Sequence, residues 1–293
     1  VKRAGFTNVW LPVALLLPQL TIIAIFFYWP AGWAIQSSFY LQDPFGFGST
    51  FVGAENYTDL AKSSEYLRTT WFTLIFTALV TFFSLAIALL LAVKADKVIR
   101  GARTYRTLLM WVYAIAPPVA GFMGILLFHQ HNGPLTDFFQ ALGWDFRILV
   151  DNTSTATAYV IIAVWKQVPV NFIFFLSGLQ SIPRSVREAA MIDNRSGTRR
   201  FWDITFPLLA PTGFFLLIIN ITYALFDTFG IIDTLVKGEP GNNPMTLVYK
   251  VYMDGFRGND LGGSSAQSVV LMVVVLVLTV FQFRLIERRI HYS

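Results

Sequence analysis

Six stretches of the chain are apolar all round a helix and almost free of charge, at about 10–33, 71–93, 108–128, 158–176, 206–225 and 268–283. Crossing a hydrocarbon layer of roughly 30 Å takes about 20 such residues in helical form. The pattern therefore predicts an all-α membrane protein with six transmembrane helices. A β-barrel would alternate apolar and polar positions in segments of about ten residues, whereas runs such as Val269 to Leu278 do not alternate. The sixth stretch is short unless its helix begins within Gly263-Ser264-Ser265-Ala266-Gln267. Only the fourth carries a charge, Lys166.

The first stretch follows Lys2 and Arg3, as the core of a secretory signal would. It is longer than the roughly 7 to 15 residues of such a core, and no small-x-small cleavage site closes it before Trp29-Pro30-Ala31, so a retained helix is expected. Basic residues resist translocation and collect on the cytoplasmic side. Lys2 and Arg3 precede the first helix, and Lys94, Lys97, Arg100, Arg103 and Arg106 fill the second connection. Arg184, Arg187, Arg195, Arg199 and Arg200 fill the fourth, and Arg284, Arg288 and Arg289 follow the last helix. The other connections hold only Lys62 and Arg68, then Arg147, then Lys237, Lys250 and Arg257. This alternation predicts N and C termini in the cytoplasm.

Composition sharpens that picture. The 293 residues are 55% hydrophobic and 13% charged, against roughly 25% charged in soluble domains, a deficit expected of a lipid-facing surface. With 28 Phe, 11 Tyr and 8 Trp the chain is too aromatic to be disordered. The absence of cysteine removes disulfides, thiolate catalysis and Cys-ligated zinc. A net charge of +5 would suit nucleic acid if it lay in one stripe; spread over four segments, it predicts no nucleic-acid partner. His129 and His131 stand two apart, do not share a helical face and have no acidic neighbour, so no metal site is expected. No paired acids or activated nucleophile suggest an enzyme. A phosphate-binding loop needs Gly-Lys-Ser/Thr, and no lysine here follows a glycine.

The candidate chemistry lies in two places. Within the membrane, Lys166 has Gln167 beside it and Asn171 further along the same helix. An intramembrane charge is costly and points to function. Lys166 either meets an anionic group of a substrate, or snorkels or pairs with an acid such as Asp227 near the outer end of the fifth helix. Asn220 and Tyr223 on that fifth helix either border the same path or join helices. Pro169 is placed to break the fourth helix and free carbonyls near the midplane. The second place is the connection 179–205. Pro183 starts a short helix there, Glu188 sits near its positive end, and Asn194, tolerant of the left-handed conformation, ends it. A second short helix from about Thr198 runs toward Pro207. The connections at about 34–70, 132–157 and 226–267 are long and carry turn clusters such as Asp43-Pro44-Phe45-Gly46 and Gly238-Glu239-Pro240-Gly241. They suit either docking of something outside the membrane or simple capping of the helices.

Glu188-Ala189-Ala190, then Asp193, Phe201, Ile204 and Pro207, resembles the E-A-A loop of permease subunits of bacterial ATP-binding-cassette importers of the carbohydrate-uptake class. Asn194 stands where that pattern usually has Gly, a change the left-handed tolerance of Asn accommodates. Trp29-Pro30-Ala31-Gly32, Tyr113-Ala114-Ile115-Ala116-Pro117, Trp165-Lys166-Gln167, Phe226-Asp227-Thr228-Phe229 and Ala266-Gln267-Ser268-Val269 extend the resemblance over nearly the whole chain, toward the permeases of sn-glycerol-3-phosphate importers. The resemblance implies the type I importer permease fold in a bacterial inner membrane. The implied partners are a second homologous permease, a dimer of cytoplasmic ATP-binding subunits, an extracytoplasmic substrate-binding protein and membrane lipid. ATP and Mg2+ are then used by the partner ATPase, and this chain binds no cofactor. Glu188, Ala189, Ala190, Asp193, Asn194 and Gly197 would form the ATPase-coupling element. The implied substrate is glycerol 3-phosphate or a glycerophosphodiester, with a neutral sugar or oligosaccharide as the alternative. An ATP-independent carrier would call for internal repeats or intramembrane carboxylates, and the six stretches contain neither.

Overall fold

The computed structural model describes residues 10–43, 48–96, 102–192, 196–237, 241 and 243–289. Five of its helices are long and apolar enough to cross a membrane: Pro12–Ser37, Ser64–Asp96, Asn152–Ser181, Ala210–Leu235 and Leu261–Gln282. We call these the first, second, fourth, fifth and sixth spans. The third apolar stretch is not the single helix its composition suggests. It is a pair, Thr107–Ala114 and Pro117–Leu127, bent by 100°. Pro117 and Pro118 have no N–H to continue the first half. Ala116 before them takes φ −62° and ψ 144°, the extended conformation that a following proline imposes, and Pro117 opens the second half where its missing donor costs nothing.

The other spans outrun their apolar windows because helical turns continue through polar ends. The sixth begins at Leu261, so its helix does include the Gly-Ser segment before 268. The fifth continues past Leu225 through a wide turn at Tyr223–Asp227 and on through Phe229–Leu235. Asp227 therefore lies inside the span and not at its end, and Asp233 lies there with it. Pro169 does not break the fourth span, which is helical from Asn152 to Ser181. Neighbouring helices cover the freed carbonyl of a membrane helix in such cases, and Pro169 is buried.

By contacts the chain forms two units, residues 1–64 with 251–274, and 65–250 with 275–293. In the former, the apolar window of the first span buries none of its residues within the chain. A short antiparallel hairpin follows, pairing Tyr40 with Phe51 and Gln42 with Ser49. The Asn56 amide donates to the Ser38 and Tyr40 carbonyls at 2.8 and 3.1 Å, tying the helix Glu55–Lys62 to the hairpin. Gln267 donates to Asp254 at 2.6 Å.

The second unit centres on the fourth span, the most buried of the five. Its N-terminus is capped by Asp151, whose Oδ2 accepts from the Ser154 N–H and hydroxyl, each at 2.7 Å. Those bonds from Ser154 hold the Asp151 carboxyl below its usual range. The half-helix Pro117–Leu127 lies against Phe229–Leu235 at glycine contact distance: a Cβ on Gly121 would stand 2.6 Å from the Ile231 carbonyl oxygen. The connection after 128 contains a helix, Pro134–Ala141, and a stack of Phe128, Phe139, Trp144 and Phe146 that its turn residues did not announce.

Candidate functional site

The connection between the fourth and fifth spans folds largely as its sequence requires. The fourth span stops at Ser181, and a nine-residue helix, Arg184–Ile192, follows Pro183. Ser196 then caps Gly197–Arg200, accepting from the Arg199 N–H at 3.3 Å, and the chain turns through Phe201–Thr205 into Phe206–Leu208. Trp202 lies between Phe201 and Phe206, ring centroids 5.2 and 5.0 Å away. Ala190 is buried, while Glu188, Ala189, Met191 and Ile192 are exposed. Gly197 is exposed too. Asp193 and Asn194 lie outside the described residues.

Arg187 fastens the short helix. One guanidinium nitrogen pairs with Asp96 at 3.1 Å, and another donates to the Leu179 carbonyl. Asp96 ends the second span and Leu179 belongs to the last turn of the fourth. Both helix ends carry negative partial charge from unpaired carbonyls, and one cation answers them together. The sequence reading missed this anchor, since Asp96 lies 91 residues from Arg187.

Within the membrane the structure separates the candidate residues into two groups. Asn171 and Asn220 are completely buried and face each other across the fourth and fifth spans, each amide donating to the other's oxygen at 2.9 and 2.7 Å. Asn220 also donates to the Leu216 carbonyl at 2.7 Å, and the Tyr223 hydroxyl donates to the Ala163 carbonyl at 3.2 Å. These three side chains join helices. Lys166, Gln167 and Asp227 form the other group. Lys166 lies midway along the 30-residue fourth span, too far from either end to snorkel, and is 7% exposed. Its ammonium is 3.4 Å from the Tyr113 carbonyl oxygen and 5.5 Å from the centre of the Tyr113 ring. Asp227 is exposed on the fifth span. Gln167 is buried beside Lys166.

A hollow of about 840 Å³ opens between the second, third and fourth spans. Phe76, Phe83, Val112, Trp165 and Pro169 line it with no charged side chain, so it does not suit a phosphate. Another hollow, of about 360 Å³, is bordered by the polar side chains of Glu65, Arg68, Asn152 and Asn243.

Five helices long and apolar enough to cross a membrane, with a bent pair that would make a sixth, define a multi-span membrane protein. Residues 84–292 match the family described as binding-protein-dependent transport system inner membrane component, and the chain belongs to that family. It is a transport component of the inner membrane. Over all 293 residues, covering 100% of both chains, it is 48% identical to the sn-glycerol-3-phosphate transport system permease protein UgpA of Brucella abortus biovar 1 (strain 9-941). The protein of the same name from Rhizobium meliloti (strain 1021) is 47% identical over the same length. Its fold is that of a permease chain in the crystal structure of a bacterial ABC transporter involved in import of the acidic polysaccharide alginate. The TM-score is 0.77 at 21% identity, covering 95% of this chain and 96% of that one.

Proposed function

We propose that this chain forms half of the pore of an ATP-driven importer for sn-glycerol 3-phosphate or a glycerophosphodiester, and that it couples to its ATPase through the helix Arg184–Ile192. A second homologous permease completes the pore, two ATP-binding subunits on the cytoplasmic side use ATP and Mg2+, and an extracytoplasmic binding protein delivers the substrate. Both termini lie in the cytoplasm, which places Arg184–Ile192 on the ATPase side. The observation that carries the coupling role is the Arg187 anchor. A helix pinned to the ends of two spans and exposing Glu188, Ala189, Met191 and Ile192 moves as one body with those spans. The substrate assignment is supported by the names of the full-length relatives.

The test is purification of the tagged chain from membranes, with and without residues 188–197, alongside uptake of labelled glycerol 3-phosphate. The intact chain is expected to bring down a second permease and an ATPase and to sustain uptake. The shortened chain keeps the second permease but loses ATPase and uptake. Uptake by the purified chain alone refutes the coupling reading; uptake of a neutral sugar in place of glycerol 3-phosphate refutes the substrate.

A further inference from the structure

In an unbroken helix the carbonyl of each residue accepts from the N–H four residues on. Pro117 stands four residues after Tyr113 and has no N–H. The Tyr113 carbonyl is therefore orphaned at the negative end of the half-helix Ala102–Ala114. Lys166 meets that oxygen at 3.4 Å and lies over the ring of the same residue. The fourth span thus supplies, from the middle of its length, the donor that the proline removes from the third.

We infer that Lys166 is a positioning residue that caps the broken third span at Tyr113 and so sets the bend before Pro117, and that it does not read the substrate's phosphate. A cation suits this place better than a neutral donor. It answers both the orphaned carbonyl and the helix dipole, and the face of Tyr113 shields it. Substrate chemistry enters only through the importer reading proposed above; the cap itself is a matter of this chain's geometry.

Replacing Pro117 by Ala returns the N–H that would pair with the Tyr113 carbonyl in a continuous helix, which makes a decisive pairing of variants available. The chain has no cysteine, so Ala120→Cys, at a fully buried site one turn beyond the bend, is a unique reporter. Its alkylation by a maleimide in membranes carrying the whole transporter reads how firmly the bend is held. Removing a helix-end cation of this kind shifts an equilibrium about two- to fivefold. Lys166→Met is expected to speed labelling by that factor, Lys166→Arg to restore it, and Lys166→Met in the Pro117→Ala background to change nothing. In uptake, Lys166→Met lowers the maximal rate while leaving the KM for glycerol 3-phosphate near that of the parent. The inference is overturned if Lys166→Met leaves labelling unchanged, or if it speeds labelling equally with Pro117→Ala present. It is overturned as well if the KM for glycerol 3-phosphate rises tenfold or more in either background, since a phosphate ligand would be lost whatever stands at 117. The labelling arm needs no transport, so a wrong substrate assignment would leave it intact.

Discussion

The amide pair between the fourth and fifth spans lends itself to a quantitative test. Asn171→Leu keeps the branched shape of the side chain and deletes both reciprocal bonds at once. Asn220 then retains its bond to the Leu216 carbonyl but has a bare oxygen and a bare N–H in a completely buried position. Interhelical hydrogen bonds within membranes average about 0.6 kcal/mol, with an upper end near 1.7, because the separated helices also find partners. Two of them place the coupling at about 1 kcal/mol, with a ceiling of roughly 3 kcal/mol. The single variants each strand a buried polar group, at about 1–3 kcal/mol. The double variant Asn171→Leu with Asn220→Leu strands none, so it is expected to cost less than the two singles together. Equilibrium unfolding of the purified chain in mixed micelles, run as a double-mutant cycle, measures the difference. Additivity within about 0.5 kcal/mol would show that the two amides do not depend on one another and would refute the assignment.

Gly121→Ala places a methyl 2.6 Å from the Ile231 carbonyl and 2.9 Å from Thr234 Cβ, and backbone cannot move aside as a side-chain tip can. A loss of about 1–3 kcal/mol is expected in thermal unfolding. Gly213→Ala, whose methyl meets nothing within 4 Å, is the control, and equal effects at both sites would contradict the close packing. Asp151 supplies a pH dependence. The Ser154 bonds depress its folded-state pKa, so its contribution is complete above the ordinary carboxylate value of 3.8 and is lost as pH falls through the lower folded value. Melting of the parent should therefore drop more steeply on acidification than that of Asp151→Asn, which keeps a capping oxygen but does not titrate; parallel curves would refute the cap.

Much of this architecture is legible along the chain because lipid imposes a local requirement. A segment that crosses the bilayer must be apolar for about 20 residues and helical throughout, and both properties reside in neighbouring residues. The start of the short helix after Pro183 is equally local, and so is the resemblance of Glu188-Ala189-Ala190 to a coupling loop. The window rule misled where it treated polarity as an end signal. It cut the fifth span at Leu225 and so put Asp227 at a helix end, although the helix continues to Leu235. It also read through Pro117 and Pro118, whose missing donors are visible in the sequence and explain the break.

Sequence by itself determined how many apolar segments there are and that Lys166, Gln167, Asn171 and Asn220 lie within them, since each depends on residues within a turn or two; it did not settle where proline stops a helix, because Pro169 leaves the fourth span whole while Pro117 and Pro118 break the third. Tertiary structure decided what those polar residues do. Lys166 meets a carbonyl 53 residues away, Asn171 an amide 49 away and Arg187 a carboxylate 91 away. In a medium without water to satisfy them, such groups take whichever partner helix packing brings within reach. Local sequence leaves that packing undetermined, and that packing is what brings Asn171 and Asn220 together across two spans.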